Sequence, residues 1–163
     1  MKKGKGKMIF IDAMIWVYNC DAKAPEHKNV NLWLEGKDVE GVIDLEEILV
    51  NTVVVMEVVH NLRRKGKLPP EVVYDYLLKM LALKNMTTMP LDRSLLHASM
   101  HMFERYYKFG IGGRDATMLA TMLRRKVETI ATHDENILQI TDFRRIDPTY
   151  HPPRILNIGQ PAK

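Results

Sequence analysis

Short apolar runs alternate along the chain with longer segments in which apolar residues recur at helical spacing. Residues 8–17 are apolar almost without a break and carry one charge, Asp12. Such a run predicts a strand that is covered on both faces, as in a parallel sheet. Further strands are predicted at residues 48–50, at 86–90, in a β-branched run from Val127 to residues 132–134, and at 154–158.

Helices are predicted between these strands, at residues 53–65, 70–84 and 93–109 and from Asp115 to Lys126 or Val127. The valines of segment 53–59 have strand propensity, but the apolar segment 45–62 is too long for one strand, and Asn51 or Thr52 can cap a helix there. Asp92 is the predicted cap of helix 93–109. The last three helices are expected to bury Val72, Val73, Tyr76, Leu77, Met80 and Leu81; Leu95, Leu96, Ala98, Met102 and Phe103; and Met118, Leu119, Met122 and Leu123.

The alternation of strands and helices predicts a three-layer α/β/α fold around a central parallel sheet. Residues 8–158 form one predicted domain, with a basic flexible tail at 1–7 and a C-terminal tail at 159–163. Residues 21–44 carry many charges and are expected to form an excursion of helix and loop, and residues 143–145 an irregular basic piece.

Composition narrows the class of protein. The chain has 163 residues, of which 46% are hydrophobic, enough for one domain with a substantial core. A single cysteine, Cys20, excludes an internal disulfide and indicates a reducing compartment, so we expect a cytoplasmic protein. No apolar run reaches the length of a membrane span. The net charge of +4 permits a polyanionic partner without requiring one.

Four acids are expected at one edge of the predicted sheet: Asp12, Glu57, Asp115 and Asp134. Asp12 lies in the first strand, Asp134 ends a later one, and Glu57 and Asp115 lie in helices that begin at the same edge. Four carboxylates at one place require raised pKa values or bound cations. A ligand set of oxygens alone favours Mg²⁺ or Mn²⁺ over zinc, and phosphodiester hydrolysis is the chemistry that uses such a site.

Each acid also has a structural explanation. Asp12 and Asp134 can cap the helix or turn that follows, and Asp115 can interact with the dipole of its helix. Glu57 can pair with Arg63 or Arg64. Only the convergence of all four favours a functional site.

The histidines are rival metal ligands. His97 and His101 are four residues apart on one predicted helix, a spacing that can bind a metal, but no third ligand accompanies them. His60 follows Glu57 by three residues, and His133 is expected to point to the opposite face from its neighbours. We therefore expect the pair to be solvated or packed.

Four segments, IFIDAMIWVY, TVVVMEVVHNL, GGRDATMLATM and ATHDENI, contain the four acids in the order Asp, Glu, Asp, Asp. In this order and spacing the chain resembles the PIN-domain nucleases, and most closely the single-domain VapC-type toxins. The resemblance implies an α/β/α fold and a Mg²⁺- or Mn²⁺-dependent ribonuclease that cleaves single-stranded RNA. It also implies that Asp12, Glu57, Asp115 and Asp134 are catalytic metal ligands, with Thr132 orienting the site and Asn136 in a supporting position.

The resemblance further implies a homodimer and an antitoxin protein that silences the enzyme. Cations at the rim of the site would draw in the RNA backbone, and the candidates are Arg114, Arg63, Arg64, Arg144 and Arg145. Each is also explained as part of a solvated surface.

Two alternatives belong to other classes. Ala13 and Met14 stand where the family commonly has a hydroxyl residue and an asparagine, and Asn136 stands where it often has a second acid or a histidine. These departures favour a non-catalytic PIN-fold protein that binds RNA or assembles with partners. A Mg²⁺ phosphatase for small molecules is disfavoured, because no second aspartate lies two residues after Asp12.

Overall fold

The computed structural model describes residues 7–36 and 41–162. The helices and strands follow one another in the order β1 Met8–Ile11, α1 Ala13–Cys20, α2 His27–Leu34, α3 Val42–Leu45, β2 Glu47–Asn51, α4 Thr52–Arg64, α5 Pro70–Leu81, β3 Met86–Met89, α6 Arg93–Tyr106, α7 Gly113–Arg125, β4 Thr129–Ala131, α8 Glu135–Leu138, β5 Arg144–Asp147 and β6 Arg154–Leu156. A short 3₁₀ turn, Tyr107–Phe109, follows α6. The predicted N-terminal tail lies outside the described residues except for Lys7.

Six strands form one sheet in the order β3-β2-β1-β4-β5-β6. The first five strands in this order are parallel, and β6 runs antiparallel to β5. From the central strand β1, the chain adds β2 and then β3 toward one side of the sheet. It then crosses back to add β4 and β5 on the other side of β1. Since parallel crossovers are right-handed, the two sets of helices cover opposite faces of the sheet. The predicted three-layer fold is confirmed.

The central strands are apolar because both faces are covered. Phe10 and Ile11 are fully buried and pair with Ile130 and Ala131 of β4. The carboxyl ends of β1, β2 and β4 therefore lie side by side, and α1, α4 and α8 begin at that edge. Asn51 caps α4 by accepting from the backbone N–H of Val54 (2.9 Å), and its amide donates to the hydroxyls of Thr117 and Thr121 in α7. This buried amide fixes α4 and α7 to the same edge.

The helices bury narrower stripes than their sequences predict. Leu96 of α6 is 49% exposed and Leu123 of α7 is 59% exposed, although both were expected in the core. In α5, Val73 and Met80 are buried, whereas Val72 and Leu81 are exposed. Helix α5 packs mainly on α4, and α6 packs mainly on α7, so apolar residues at the margins of each stripe remain in solvent.

Residues 144 and 145 of the segment that was predicted to be irregular begin strand β5 instead. Arg145 within it is fully buried. Its Nη1 donates to the carbonyl oxygen of Ile140 (2.8 Å) and its Nη2 to that of Gln160. The backbone N–H of Gly159 also donates to Thr141 (2.8 Å). The first residues of the predicted C-terminal tail are therefore bound to the domain.

None of the helices in the described ranges is both long and apolar enough to cross a membrane.

Candidate active site

Asp12 is the most buried of the four predicted acids, with 7% of its surface exposed. It follows β1 and caps α1: its Oδ1 accepts from the backbone N–H of Ala13 (2.6 Å). Its Oδ2 accepts from the hydroxyl of Thr132 (2.7 Å). Burial raises the pKa of Asp12 to about 7; the two hydrogen bonds oppose the rise, while the charges of Glu57 and Asp115 add to it. Asp12 is therefore both the cap of α1 and a member of a group of acids that affect one another's pKa.

Thr132 connects two of the acids. It is fully buried after β4, and its hydroxyl accepts from the backbone N–H of Asp134 (3.1 Å) while it donates to Asp12. The side chain thus fixes the Asp12 carboxylate relative to the loop that carries Asp134.

Glu57 lies in α4 and forms an ion pair with Arg114, the second residue of α7 (2.8 Å). The glutamate side chain is 18% exposed, and the arginine side chain is 64% exposed. Burial raises the pKa of Glu57, Arg114 lowers it, and the charge of Asp115 raises it again. The ion pair of Glu57 with Arg63 or Arg64 that was considered from the sequence is therefore wrong, because its partner is Arg114.

Asp115 lies in the first turn of α7, and its Oδ2 accepts from the backbone N–H of Gly112 (2.7 Å). Burial raises the pKa of Asp115; the bond from Gly112 opposes this, and the charge of Asp134 adds to it. Because Asp115 raises the pKa of both Asp12 and Glu57, it lies in the field of all three other acids. We call Asp12, Glu57, Asp115 and Asp134 the acid cluster.

Asp134 caps the short helix α8: its Oδ1 accepts from the backbone N–H of Asn136 (2.7 Å). The side chain of Asn136 points elsewhere, since its amide donates to the carbonyl of Gly110 (3.2 Å). Gly110 has a left-handed backbone (φ 75°) and precedes α7. Asn136 therefore connects the loop before Asp115 to the helix after Asp134.

The chemistry of the acid cluster fits a hard divalent cation, because its donors are carboxylate oxygens that raise one another's pKa. As placed, however, no three Asp, Glu, His or Cys side chains in residues 7–36 and 41–162 are arranged to hold one ion. Glu57 is turned to Arg114, and Asp115 is turned to the backbone N–H of Gly112. An ion bound by all four acids has to compete with those two contacts.

Of the predicted rim cations, Arg114 lies at the acid cluster. Arg144 does not, because it pairs with Thr129 at the beginning of β4, at the opposite edge of the sheet. Arg63 and Arg64 lie in the last turn of α4; six residues after Glu57, Arg63 is about 9 Å further along the helix. It donates there to the carbonyl of Leu68.

The structure corrects the prediction for two of these arginines. Arg144 is at the opposite edge, and the guanidinium of Arg145 is inside the domain. The role of Arg63 at the rim stays a prediction. The edge that a side chain reaches depends on whether its residue lies at the beginning or at the end of its strand. The basic run at 143–145 does not reveal where β5 begins.

Asp147, the last residue of β5, is a buried acid that was not predicted from the sequence. Its carboxylate is fully buried, lies 2.9 Å from Nδ1 of His133, and accepts from the hydroxyl of Thr149 (2.7 Å). Because β5 is parallel to β4, Asp147 reaches the same edge as the acid cluster. The turn residues Asp-Pro-Thr after Ile146 were the available signal that a strand ends there.

The rival histidines do not form a site. His97 and His101 are exposed on α6, and they belong to no metal-binding group among the residues that the structure describes. His60 is exposed on α4. The expectation of a solvated pair is confirmed.

Comparison with known proteins gives one family and several similar folds. The model of the PIN domain family matches residues 9–143. VapC20 of Mycobacterium tuberculosis, a sarcin-ricin loop cleaving toxin, is 17% identical over 78% of this chain and 90% of its own, with a TM-score of 0.62. A chain of VapBC2 from Rickettsia felis, solved with a promoter DNA fragment, is 13% identical over 85% of this chain and 96% of its own, with a TM-score of 0.58.

A chain of a toxin–antitoxin complex from Klebsiella pneumoniae is 14% identical over 86% of this chain and 97% of its own, with a TM-score of 0.56. At these identities the similarity concerns the fold. None of the curated proteins matches the chain.

Proposed function

Because the chain belongs to the PIN domain family, we propose that it is a metal-dependent endoribonuclease that cleaves phosphodiester bonds of single-stranded RNA. The observation that carries the proposal is the shared field of the acid cluster, in which the charges of Glu57 and Asp115 help to raise the pKa of the buried Asp12. Isolated capping residues would not affect one another in this way. Four like charges at one place repel one another and do not stabilise the fold.

Asp12, Asp115, Asp134 and Glu57 would hold the cation, Mg²⁺ or Mn²⁺. When bound, such an ion activates a water molecule and neutralises charge on the phosphate. Thr132 holds the Asp12 carboxylate in a fixed orientation toward the acid cluster. The Arg114 side chain is mostly exposed, and within residues 7–36 and 41–162 its ion pair is with Glu57, so a phosphate of the RNA can replace that glutamate as its partner.

The test is cleavage of a mixed pool of single-stranded RNA with Mn²⁺, Mg²⁺ or EDTA. We expect cutting that depends on the metal and is lost in Asp115→Asn. Asp75→Asn is the matched control, because Asp75 is an exposed acid in an i,i+4 pair with Lys79 on α5. Equal cutting by Asp115→Asn and the wild type would contradict the proposal.

The alternative is a non-catalytic PIN-fold protein that binds RNA or assembles with partners. The observation in its favour is that each acid has a protein partner and that no ready-made metal-binding group exists among the described residues. Tight RNA binding without cutting, in the wild type and in Asp115→Asn alike, would favour this function.

We also propose that the protein is the toxin of a toxin–antitoxin pair. The similarity in fold to VapC20, a toxin, and to the Klebsiella pneumoniae toxin–antitoxin complex supports this. Induced expression should then arrest growth, and Asp115→Asn should not. Co-expression of a short protein encoded next to this one should restore growth, and a neighbouring gene product without that effect would argue against the pair.

A homodimer is the proposed assembly. Apolar side chains that the domain leaves exposed offer surface for it, among them Met56, Tyr74, Leu78, Met100 and Tyr107. Light scattering on the purified protein should give twice the monomer mass of 18.9 kDa. A mass that stays at the monomer value across the concentration range would exclude the dimer.

A further inference from the structure

A second polar group lies beside the acid cluster, at the end of β5. Oδ1 of the buried Asp147 accepts from both the backbone N–H (3.1 Å) and the hydroxyl (2.7 Å) of Thr149, and Oδ2 lies 2.9 Å from Nδ1 of His133. The same Nδ1 lies 3.1 Å from the hydroxyl oxygen of Thr149. Asp147 and Thr149 therefore hold the imidazole in one orientation.

The functional groups of this histidine and its aromatic neighbour remain unused. The ring of Tyr18, on α1, meets the ring of His133 edge to face, with centroids 6.1 Å apart and planes at 70°. Within residues 7–36 and 41–162, neither the Tyr18 hydroxyl nor Nε2 of His133 has a hydrogen-bond partner, and neither is among the fully buried unpaired atoms. The His133 side chain is 35% exposed. Two aromatic rings with free polar atoms thus reach solvent side by side.

This pair adjoins the acid cluster. His133 lies between Thr132, which donates to Asp12, and Asp134. Strands β1, β4 and β5 are consecutive in the sheet, so the end of β5 is about 10 Å from the end of β1. The pKa of Tyr18 is raised by burial and by the charges of Glu26, Asp147 and Asp12, which places the ring within the field of Asp12.

The acid cluster therefore has two different flanks. The exposed cation Arg114 lies on the side of β2, above Glu57 of α4. The Tyr18–His133 pair lies on the side of β5. A nucleic acid that crosses the edge between these flanks meets a cation suited to its phosphates, then the acids, then aromatic rings suited to a base.

We propose that Tyr18 and His133 form a subsite for one unpaired nucleobase of single-stranded RNA, next to the bond that is cleaved. Asp147 and Thr149 are positioning residues that act through His133. Stacking on the rings requires a base that is free of its duplex partner, so the subsite selects single strands. The free hydroxyl and Nε2 can bond to the base edge and so distinguish one base from another. The inference rests on the proposed ribonuclease function.

The test measures KM, kcat and nucleotide preference on a randomised single-stranded RNA with Mn²⁺. Tyr18→Leu and His133→Leu should each raise KM about tenfold and weaken the preference at one position beside the cleaved bond, with kcat within a factor of about two. Thr149→Val should weaken the same preference to a smaller extent. His97→Leu, an exposed histidine on α6, is the matched control and should behave as the wild type.

Unchanged KM and unchanged preference in Tyr18→Leu and His133→Leu, with both variants melting as the wild type does, would overturn the subsite. Should the wild type cut no RNA with any metal, the proposed activity fails and the subsite is tested separately. Binding of a fluorescent single-stranded RNA is then measured in EDTA. Weaker binding by the two variants, but not by His97→Leu, supports the subsite, and equal binding overturns it.

Discussion

The hydroxyl of Thr132 donates to the carboxylate of Asp12 across the junction of β4 and β1 (2.7 Å). One side chain thus fixes the orientation of Asp12, the most buried member of the acid cluster, and lowers its pKa. The same oxygen accepts from the backbone of Asp134. The hydroxyl group of Thr132 should therefore influence both the acid cluster and the stability of the domain.

Replacement of Thr132 by valine should reduce cleavage at pH 7 by about 10- to 100-fold. Loss of the hydroxyl removes a bond that lowers the pKa of Asp12, so this acid stays protonated to higher pH. The pH profile of cleavage should shift upward, and the free energy of unfolding should fall by about 1–3 kcal/mol because the Asp134 N–H loses its acceptor. Thr132→Ser keeps the hydroxyl and should retain most of the activity. A Thr132→Val enzyme with the wild-type profile would show that the bond is unimportant.

Without metal, the acid cluster should make the domain less stable as pH rises. The pKa of Asp12 is raised from 3.8 to about 7, so the folded state binds this proton more tightly than the unfolded chain. The stabilisation is fully present below pH 3.8 and is lost as pH rises through 7; for this shift it amounts to about 4 kcal/mol.

Urea unfolding in EDTA between pH 4 and 8, compared with Asp12→Asn, isolates this contribution from that of the other carboxylates. As pH rises from 4 to 8, the wild type should lose unfolding free energy relative to Asp12→Asn. Addition of Mn²⁺ should stabilise the wild type more at pH 8 than at pH 5, since the cation requires ionised ligands. A difference that does not vary with pH would show that Asp12 titrates normally.

Asp115→Asn should be neutral or stabilising in the absence of metal. The asparagine oxygen can still accept from Gly112, and the substitution removes the charge that adds to the pKa of Asp12 and Glu57. Thermal melting in EDTA checks this. A large fall in melting temperature would instead mean that the charge of Asp115 mainly stabilises the first turn of α7.

Arg114→Gln should weaken RNA binding, whereas Arg144→Gln should not. Both residues are basic, but Arg114 lies at the acid cluster and Arg144 at the opposite edge of the sheet. Loss of one phosphate contact should reduce the slope of log affinity against log salt by about 1. The ion pair with Glu57 is exposed on its arginine side, so its loss should lower the free energy of unfolding by only about 1 kcal/mol. Equal losses in the two variants would indicate nonspecific attraction.

Most of the acid cluster could be predicted from the sequence because three of its members stand out in their segments. Asp12 is the one charge in an apolar run, Asp134 follows a β-branched run, and Asp115 opens a helix after two glycines. In a parallel sheet, these ends meet at one edge whatever the exact register. The family match and the observed strand order agree with that prediction.

The contacts of the individual side chains could not be predicted in the same way. The partner of Glu57 is Arg114, which is distant in sequence, and the pairing depends on how α4 and α7 pack. Arg144 and Arg145 are adjacent in a short strand, yet one is at an edge and the other is in the core. The surplus apolar residues Leu96 and Leu123 match the helical period as well as buried ones do, so periodicity does not separate them.

The buried guanidinium of Arg145 limits how the chain can be engineered. It donates to the carbonyl of Gln160, so the last residues of the described chain are held against β5, the strand that ends at Asp147. A version cut after Asn157 would leave a cation inside the protein with one acceptor fewer, and it should unfold more readily. Affinity tags are therefore better joined beyond Gln160 than in its place.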